Sequence, residues 1–325
     1  MNISYLILIL TTRCNLACKY CYNGDQAGED MTPATIKNAL NLAAGGSGPL
    51  HIQFTGGEPT LAPDLMAYAA DEARRLGRET HLAVQTNGTL LTPPLAAFFR
   101  EYEFQVGLSL DGPAEINEKT RGGSAAVFQG MRLLDDFGLD FNVTAVVNET
   151  SVHYLSRLPL ILAGFSHARG FGLDLLIKKG RNQAETAKPG HLASSAHKIK
   201  RALAAVNRRR RRPLLWRELE LLENCRPGAA KDFCHACRNE SLAVRPDGRA
   251  YPCGQTSGSN EFLLGNATGL SALKTPLTSL KLAGSDCRDC IAHGRCPGEC
   301  PSRLYYNQGR EAFLICELYQ ALASI

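Results

Sequence analysis

The chain has 325 residues and a formal net charge of +5, with 44% hydrophobic and 21% charged residues. These proportions are ordinary for a soluble, well-packed protein, and the mild charge argues neither for nor against a nucleic-acid partner. The apolar run near the N-terminus, Tyr5–Leu10, is far shorter than the roughly 20 residues that a membrane-spanning helix needs. No Lys or Arg precedes that run, which argues against a signal peptide. We therefore expect a cytoplasmic protein without a membrane partner.

Short apolar runs alternate with longer amphipathic ones from residue 5 to about residue 180. Several amphipathic runs open on Pro or a capping residue, which predicts helices starting near Thr32-Pro33, Pro63-Asp64, Thr92-Pro93, Ser124 and Ser151. The alternation predicts a parallel sheet with right-handed crossovers, and its six units are too few to close an eight-stranded barrel. The expected fold is α/β, a partial (β/α)6 TIM-like barrel, with strands at Tyr5–Leu10, His51–Thr55, His81–Gln85, Gln105–Leu110, Phe141–Val147 and Phe171–Ile177.

The distribution of the 12 cysteines divides the chain. None lies between Cys21 and Cys225, and nine occur from Cys225 onward. This break predicts a first domain over residues 1–214 and a cysteine-rich second domain over residues 215–325. The missing signal peptide and the tight Cys-x2-Cys spacings favour metal or redox sites over disulfides.

Five consecutive arginines, Arg208–Arg212, follow a predicted helix over about residues 189–206. We interpret them as a solvated helix end or an interdomain linker. An acidic substrate peptide is an alternative partner for this run. No aromatic residues are interleaved with the arginines, so we expect no nucleic-acid partner.

A Cys-x3-Cys-x2-Cys string, formed by Cys14, Cys18 and Cys21, comes directly after the first predicted strand. Three thiolates on one short loop can hold three irons of a [4Fe–4S] cluster and leave the fourth iron open to a substrate. A zinc site is the alternative, but it needs a fourth Cys or His, and none is close in sequence. The string therefore favours an iron–sulfur cluster.

This string, with Tyr20 before its last cysteine, resembles the signature of the radical S-adenosylmethionine (SAM) superfamily. The resemblance implies that the amino and carboxylate groups of SAM chelate the open iron. It also implies that an electron from the cluster cleaves SAM into methionine and a 5′-deoxyadenosyl radical, which abstracts hydrogen from a substrate. An external electron donor such as flavodoxin or ferredoxin is then expected as a partner.

Polar motifs follow the next three predicted strands in the order found in that family. Gly56-Gly57-Glu58-Pro59 resembles the family's GGEP motif, which contacts the amino group of SAM, and a carboxylate suits an ammonium. The motif around Asn87 resembles a segment of the same pocket. Ser109 and Asp111 belong to a segment that resembles the one reaching the SAM ribose and carboxylate. Arg121 stands where related enzymes often have an Arg that pairs with that carboxylate. The resemblance thus implies a set of SAM-binding residues: Gly56, Gly57, Glu58, Pro59, Asn87, Ser109, Asp111 and Arg121.

The C-terminal cysteines resemble a second family pattern. Ten residues separate Cys237 from Gly248-x4-Cys253, and the string Cys287-x2-Cys290-x5-Cys296-x3-Cys300 is followed by Cys316. This matches the SPASM domain at all seven cysteine positions, and family members of this type carry two auxiliary [4Fe–4S] clusters.

The resemblance implies a ligand set for each auxiliary cluster. The first would take Cys253 and Cys300 with two of Cys225, Cys234 and Cys237, of which we favour Cys234 and Cys237. The second would take Cys287, Cys290, Cys296 and Cys316. A zinc ribbon that pairs Cys234 and Cys237 with Cys287 and Cys290 is an alternative, although it leaves the other cysteines of the pattern unexplained.

SPASM relatives mostly act on peptides or proteins, by installing crosslinks or by oxidising a Cys or Ser of sulfatases. Sulfatase-maturing enzymes commonly have an Asp directly after the Gly-x4-Cys cysteine, whereas this chain has Gly254 there. We therefore expect an oxidoreductase-type maturase that modifies a peptide or protein side chain. The alternatives are radical oxidation of a small molecule or cofactor precursor, and a non-enzymatic zinc or iron–sulfur scaffold. The sequence assigns no catalytic residue.

Overall fold

The computed structural model describes residues 1–24, 28–225, 233–271, 277, 280, 287–308 and 313–324. The strands are β1 (Tyr5–Thr11), β2 (Leu50–Gly56), β3 (Thr80–Thr86), β4 (Gln105–Ser109), β5 (Phe141–Val147), β6 (Ala168–Leu175), β7 (Leu215–Trp216), β8 (Ser241–Val244), β9 (Arg249–Tyr251), β10 (Gly265–Asn266) and β11 (Gly269–Leu270). The α-helices are α1 (Pro33–Ala44), α2 (Pro63–Arg74), α3 (Pro93–Glu101), α4 (Ala114–Thr120), α5 (Ser124–Asp136), α6 (Leu158–Leu162), α7 (His191–Asn207), α8 (Arg217–Glu223), α9 (Pro301–Tyr306) and α10 (Phe313–Ala323). Within the described ranges, no helix is long and apolar enough to cross a membrane.

The α/β fold predicted from the sequence is confirmed, since β1–β6 each overlap one of the six predicted strands. β6 begins three residues earlier than expected because it pairs with the whole length of β5, from Phe141 opposite Ala168 to Val147 opposite Leu175. The segment after Ser151 is a 3-10 helix (Val152–Arg157) rather than the start of an α-helix. Helix α4 was not predicted.

Contacts divide the chain into two compact units, the first comprising Met1–Asn15, Asp25–Gly107 and Cys234–Leu280, and the second Leu16–Gly24, Leu108–Phe233 and Lys281–Ile325. In the first unit the strand order is β11-β10-β9-β8-β1-β2-β3. β8, β1, β2 and β3 run parallel, and the remaining pairs are antiparallel. A strand from the cysteine-rich part of the chain thus extends the sheet at β1. The predicted domain boundary between residues 214 and 215 stays a prediction.

In the second unit β5, β6 and β7 form a parallel ladder. Side chains alternate along β5: Phe141 and Val143 are buried on one face, while Asn142 and Thr144 on the other face are exposed or partly exposed. A buried parallel strand is usually apolar on both faces. β5 differs from that pattern in presenting one polar, accessible face.

The arginine run is more structural than the sequence interpretation proposed. Arg210 is half-buried, and its guanidinium donates hydrogen bonds to five backbone carbonyls, those of Leu162, Ala163, Phe165, Ser166 and Ala168, at 3.0–3.4 Å. Three of these carbonyls lie at or just beyond the end of α6, where helical carbonyls lack intrahelical partners. Arg212 pairs with both oxygens of Asp140 at 3.0 and 2.6 Å.

We predict that Arg210→Ala lowers the stability of the cluster-loaded protein by about 1–3 kcal/mol, because it removes a charged donor from several carbonyls at once. Anaerobic thermal unfolding should show a midpoint lower by a few degrees. Arg211→Ala is the matched control, since Arg211 is exposed and an exposed substitution changes stability by less than about 0.5 kcal/mol. Equal losses in the two variants would refute a specific role for Arg210.

Candidate functional site

Cys14, Cys18 and Cys21 lie on the loop that follows β1, and none of the three forms a disulfide. Cys14 is exposed, and the other two cysteines are partly buried. In the second unit, the carbonyl of Cys21 accepts the N–H groups of Gly24 and Arg181 at 3.0 and 2.9 Å. Backbone hydrogen bonds therefore hold this part of the loop in place independently of the thiols.

The segment after β6 supports the same loop, which sequence reasoning missed. Gly180 has φ +70°, and a Cβ there would lie 2.3 Å from the carbonyl oxygen of Cys21. Arg181 donates from Nη1 to the carbonyl of Cys18 at 3.2 Å, and Gln183 N–H donates to that of Lys19 at 2.8 Å. Only glycine fits at residue 180, because the positive φ and the close approach both exclude a side chain. A Gly shortly after a predicted strand was the available signal.

A buried carboxylate, that of Asp111, organises the surroundings of Cys18 and Tyr20. Oδ2 accepts hydrogen bonds from Tyr20 Oη and from Thr120 Oγ1, the latter at 2.8 Å. Oδ1 accepts from Arg121 Nε at 3.0 Å and from the N–H of Val146 at 2.9 Å. Both oxygens are thus engaged by protein donors, so the Asp111 carboxylate positions Tyr20, Thr120, Arg121 and the backbone of Val146.

Arg121 keeps its charge although it is buried. Burial disfavours the cation, but Asp111, Tyr20 and Cys18 outweigh that effect and raise the pKa of Arg121 above its ordinary value. Burial raises the pKa of the Cys18 thiol, and the nearby Arg121 guanidinium opposes that shift. The loop carries three thiols, and the Arg121 guanidinium lies near the thiol of the partly buried Cys18. The thiols fit the chemistry of a [4Fe–4S] cluster, and the guanidinium fits a carboxylate ligand.

In the first unit, Glu58 is the buried carboxylate that joins the ends of β2 and β3. Its Oε1 accepts from Thr60 N and Oγ1 at 3.2 and 2.6 Å and from Thr86 Oγ1 at 2.6 Å, and its Oε2 accepts from Asn87 N at 2.7 Å. Burial raises the pKa of Glu58, and these donors oppose the shift. Its side chain therefore acts by holding the surrounding backbone.

The paired glycines of the same motif are required by packing within the protein. A Cβ on Gly56 would lie 2.3 Å from the carbonyl oxygen of Thr11, and one on Gly57 would lie 2.2 Å from that of Arg13. Gly57 N–H donates to Thr11 O and Glu58 N–H to Arg13 O, both at 2.8 Å. These glycines let the end of β2 lie directly against the chain leading to Cys14. The motif continues with Pro59, which is buried at the start of a short 3-10 helix.

Asn87 links the end of β3 to the residue after Cys14. Its Nδ2 donates to Asn15 Oδ1 at 2.9 Å, and Asn15 Nδ2 donates to Thr89 Oγ1 at 2.7 Å. Thr89 completes the ring by donating from N and Oγ1 to Asn87 Oδ1 at 2.9 and 2.7 Å. Asn15 and Thr89 escaped sequence reasoning because their roles depend on this contact between distant segments.

The predicted SAM-binding residues therefore fall into two sets. The first unit brings together Gly56, Gly57, Glu58, Pro59 and Asn87. The second unit holds Ser109, Asp111 and Arg121, with Ser109 partly buried at the end of β4. Their role in binding SAM stays a prediction.

The four thiols predicted for the second auxiliary cluster lie in the second unit, close enough to affect one another's pKa. Burial, with smaller contributions from the thiols of Cys316, Cys290 and Cys287, raises the pKa of Cys296 to about 11. The N–H of Gly298 donates to Cys296 Sγ at 3.4 Å. Four clustered thiols form the donor set of a [4Fe–4S] site. Cys300, also in this unit, is buried, with its Sγ 3.0 Å from Ser302 Oγ.

The first unit holds Cys234, Cys237 and Cys253. The Sγ atoms of Cys234 and Cys237 lie 3.6 Å apart, and this contact lowers the pKa of Cys234. Cys253 Sγ lies 3.5 Å from Thr256 Oγ1. Cys225 belongs to the second unit, where its Sγ lies 4.0 Å from the carbonyl oxygen of Gly294.

The spacing of the thiols argues against zinc sites built from cysteine within either unit. In a tetrahedral zinc site the sulfurs lie about 3.8 Å apart, because each Zn–S bond is about 2.3 Å. Among the described residues, neither unit has three cysteine sulfurs within 4.8 Å of one another.

A cavity of about 710 Å³ opens in the second unit beside the accessible face of β5. Asn142, Thr144 and Arg217 are among the polar residues of its wall, and Phe171 and Leu221 are among the apolar ones. This volume lies within the range of small-molecule and side-chain binding sites.

Arg217 is positioned in the cavity wall by a glycine. A Cβ on Gly172 would lie 2.7 Å from Cζ of Arg217, so the missing side chain makes room for the guanidinium. The guanidinium donates to Leu173 O and to Glu218 Oε1, each at 2.7 Å. About half of the Arg217 side-chain surface, 53%, remains accessible, and the cavity wall also contains the charged residues Glu220 and Arg295.

Comparison with known proteins places these features in a family. The sequence model of the radical SAM superfamily matches residues 8–154. The chain is 30% identical over 289 residues to the uncharacterized protein MJ0907 of Methanocaldococcus jannaschii, covering 86% of this chain and 94% of that protein. It is 33% identical over 190 residues to a serine-type anaerobic sulfatase-maturating enzyme of Bacteroides thetaiotaomicron, covering 48% of this chain and 46%, about half, of that enzyme.

A solved structure described as native anSMEcpe with bound AdoMet and Cp18Cys peptide has a TM-score of 0.73 to this chain, with 96% of each chain covered. At 22% identity this likeness shows a shared fold. The match to the superfamily spans the Cys14–Cys21 loop and the strand ends that carry Glu58, Asn87 and Asp111. Together, the matched segment, the nearly full-length relative and the shared fold show that this chain belongs to the radical SAM superfamily.

Proposed function

We propose that this chain is a SAM-dependent radical maturase that oxidatively modifies a side chain of a peptide or protein. The observation that carries the proposal is that Cys287, Cys290, Cys296 and Cys316 lie in one unit, with thiols close enough to affect one another's pKa. Abstraction of a hydrogen atom removes one electron from a substrate, and a closed-shell oxidised product requires that a second electron leave. A second redox group meets that requirement.

The proposal gives its residues distinct roles. Cys14, Cys18 and Cys21 would hold a cluster that would supply the electron for SAM cleavage, and Cys287, Cys290, Cys296 and Cys316 would hold one that would accept the electron leaving the substrate. Arg121 offers a fixed positive charge for the carboxylate of SAM, and Asp111 orients it.

The cavity beside β5 is our candidate for the substrate site. Asn142 and Thr144 offer hydrogen-bonding groups, Phe171 offers an apolar wall, and Arg217 offers a positive charge. Such a mixture suits a peptide side chain with its flanking backbone. The likeness to the peptide-bound anSMEcpe structure supports a peptide as the occupant.

The first test concerns SAM cleavage. Replacing Cys14, Cys18 and Cys21 by Ala should abolish dithionite-driven formation of 5′-deoxyadenosine and remove one cluster's worth of iron, because the cluster loses its thiolates. Liquid chromatography and iron analysis measure both effects. Cys225→Ala is the matched control and should retain cleavage, since Cys225 lies beside Gly294, outside this loop. Undiminished cleavage in the triple variant would contradict the site.

A second test separates SAM binding from cluster assembly. Arg121→Gln should keep the iron content but weaken SAM binding by about 10- to 150-fold, the effect of losing one charge-assisted hydrogen bond. Equilibrium binding of SAM to the reconstituted protein measures the change. Arg157→Gln is the control, because that exposed arginine pairs with exposed Glu115. Parental affinity in Arg121→Gln would show that this guanidinium does not contact SAM.

A third test addresses substrate oxidation. Reconstituted protein incubated with small peptides encoded near its gene should yield a peptide that has lost two hydrogens, as detected by mass spectrometry. The double variant Cys287→Ala/Cys290→Ala should lose this product and one cluster's iron, yet still form 5′-deoxyadenosine. The reason is that only the acceptor for the second electron is removed.

Circular dichroism and gel filtration must show that the double variant is folded, because cluster loss can unfold a small domain. A folded double variant that lacks the auxiliary iron yet oxidises the peptide normally would refute the redox role of these cysteines. SAM cleavage with no modification of any peptide, but with oxidation of a small molecule, would refute the peptide substrate.

A further inference from the structure

A cluster of potential metal ligands lies outside the predicted cysteine and SAM sites. Glu149 follows the end of β5, His153 lies in the 3-10 helix Val152–Arg157, and His191 is the first residue of α7. Their ligand atoms all lie within 4.8 Å of one another, and among the described residues this group alone is so close. The two imidazole rings meet edge to face, with centroids 4.7 Å apart.

The distances resemble those within a coordination sphere. Glu149 Oε1 lies 3.1 Å from His191 Nδ1 and 3.6 Å from His153 Nε2. Ligand atoms about 2.0–2.1 Å from a tetrahedral zinc ion lie about 3.3 Å from one another. Small side-chain adjustments would therefore place all three atoms around one ion.

The carboxylate is oriented by the backbone. Glu149 Oε2 accepts the N–H of Lys188 at 2.9 Å and also lies 3.2 Å from His191 Nδ1, while Oε1 lies near both imidazoles. Glu149 N–H in turn donates to the carbonyl of Glu185 at 2.8 Å. A hydrogen bond to the second oxygen of a ligating carboxylate is the support that metal sites commonly use.

The 3-10 helix that carries His153 and helix α7, which carries His191, are also joined by a hydrogen bond that does not involve the proposed ligand atoms. Ser195 Oγ, on α7, donates to the carbonyl of Val152 at 2.6 Å. The N–H groups of Thr150 and Ser151 donate to Asn148 Oδ1 at 2.9 and 3.0 Å, which sets the turn between Glu149 and His153. These bonds fix the backbone around the three proposed ligands before any ion arrives.

The charges around these three residues favour a bound cation, although the Lys188 ammonium competes with it. Glu149 supplies the carboxylate of the site, and its side chain is 19% exposed. The Lys188 ammonium lies 3.9 Å from Glu149 Oε1, but its side chain is 68% exposed and can move into solvent. His153 is half exposed, at 50%, which gives an ion a path to the site.

We propose that Glu149 Oε1, His153 Nε2 and His191 Nδ1 bind one divalent transition-metal ion, with the remaining coordination position open to solvent. Two imidazoles and a carboxylate suit zinc and its neighbours in the first transition row. The site is independent of the proposed radical chemistry. Its expected effect is to hold the turn after β5 against the start of α7.

Zinc binding to cluster-loaded protein tests this site, since the cysteines are then occupied by iron. After incubation with zinc chloride and gel filtration, mass spectrometry of the metals should find about one zinc more per chain in the parent than in His153→Ala or Glu149→Gln. Loss of a ligand should weaken zinc binding at least about tenfold. His167→Ala is the matched control, because it removes an imidazole paired with a single carboxylate, that of Asp135, at 3.2 Å.

X-ray absorption at the zinc edge supplies a second readout. We expect nitrogen and oxygen ligands in the parent and no sulfur shell. Equal zinc retention in the parent and His153→Ala would overturn the site and leave the group as an ion-pair cluster. Equal loss of zinc in His167→Ala, or a sulfur shell around the zinc that His153→Ala loses, would overturn it as well.

Discussion

The hydrogen-bonded carboxylate of Asp111 is the interaction on which the second unit's part of the site depends. It joins Tyr20 from the cysteine loop, Thr120 and Arg121 from the end of α4, and the N–H of Val146 from β5. An unpaired buried charge costs several kcal/mol, and breaking a buried ion pair costs about 3–5 kcal/mol. Asp111 and Arg121 thus require each other, and their pairing sets the position of the cysteine loop.

Glu58 plays the same part in the first unit. Its four hydrogen bonds join the ends of β2 and β3, and Asn87 extends this network to Asn15, next to Cys14. A flexible loop loses conformational entropy when a ligand orders it, and prior ordering by such networks reduces that cost. The motifs that resemble SAM-contacting segments are therefore also the motifs that hold the cysteine loop.

Sequence reasoning predicted the strands, the type of sheet and the positions of the motifs, because apolar periodicity and short motifs are local properties. It predicted that Glu58 and Asp111 contribute to SAM binding, which stays a prediction, but it did not predict the protein donors that engage their oxygens. A sequence shows which residue is acidic but not how many donors its fold supplies. Sequence reasoning did not identify Gly180 and Asn15 for the same reason, because the residues they contact are distant in the chain. Arg210 was interpreted as solvated because its five carbonyl acceptors carry no sequence signal.

The electrostatics of Cys18 connect this architecture to cluster assembly. Burial raises the pKa of the Cys18 thiol, and Asp111 and Cys21 add to that effect while Arg121 opposes it. The thiol therefore favours its protonated form until a metal competes for the sulfur, and binding of iron must release that proton. The positive charge of Arg121 stabilises the resulting thiolate, while its pairing with Asp111 limits the net charge that is buried. In the proposed function, a single ion pair would thereby serve the folded loop, the proposed cluster ligand Cys18 and the proposed SAM contact.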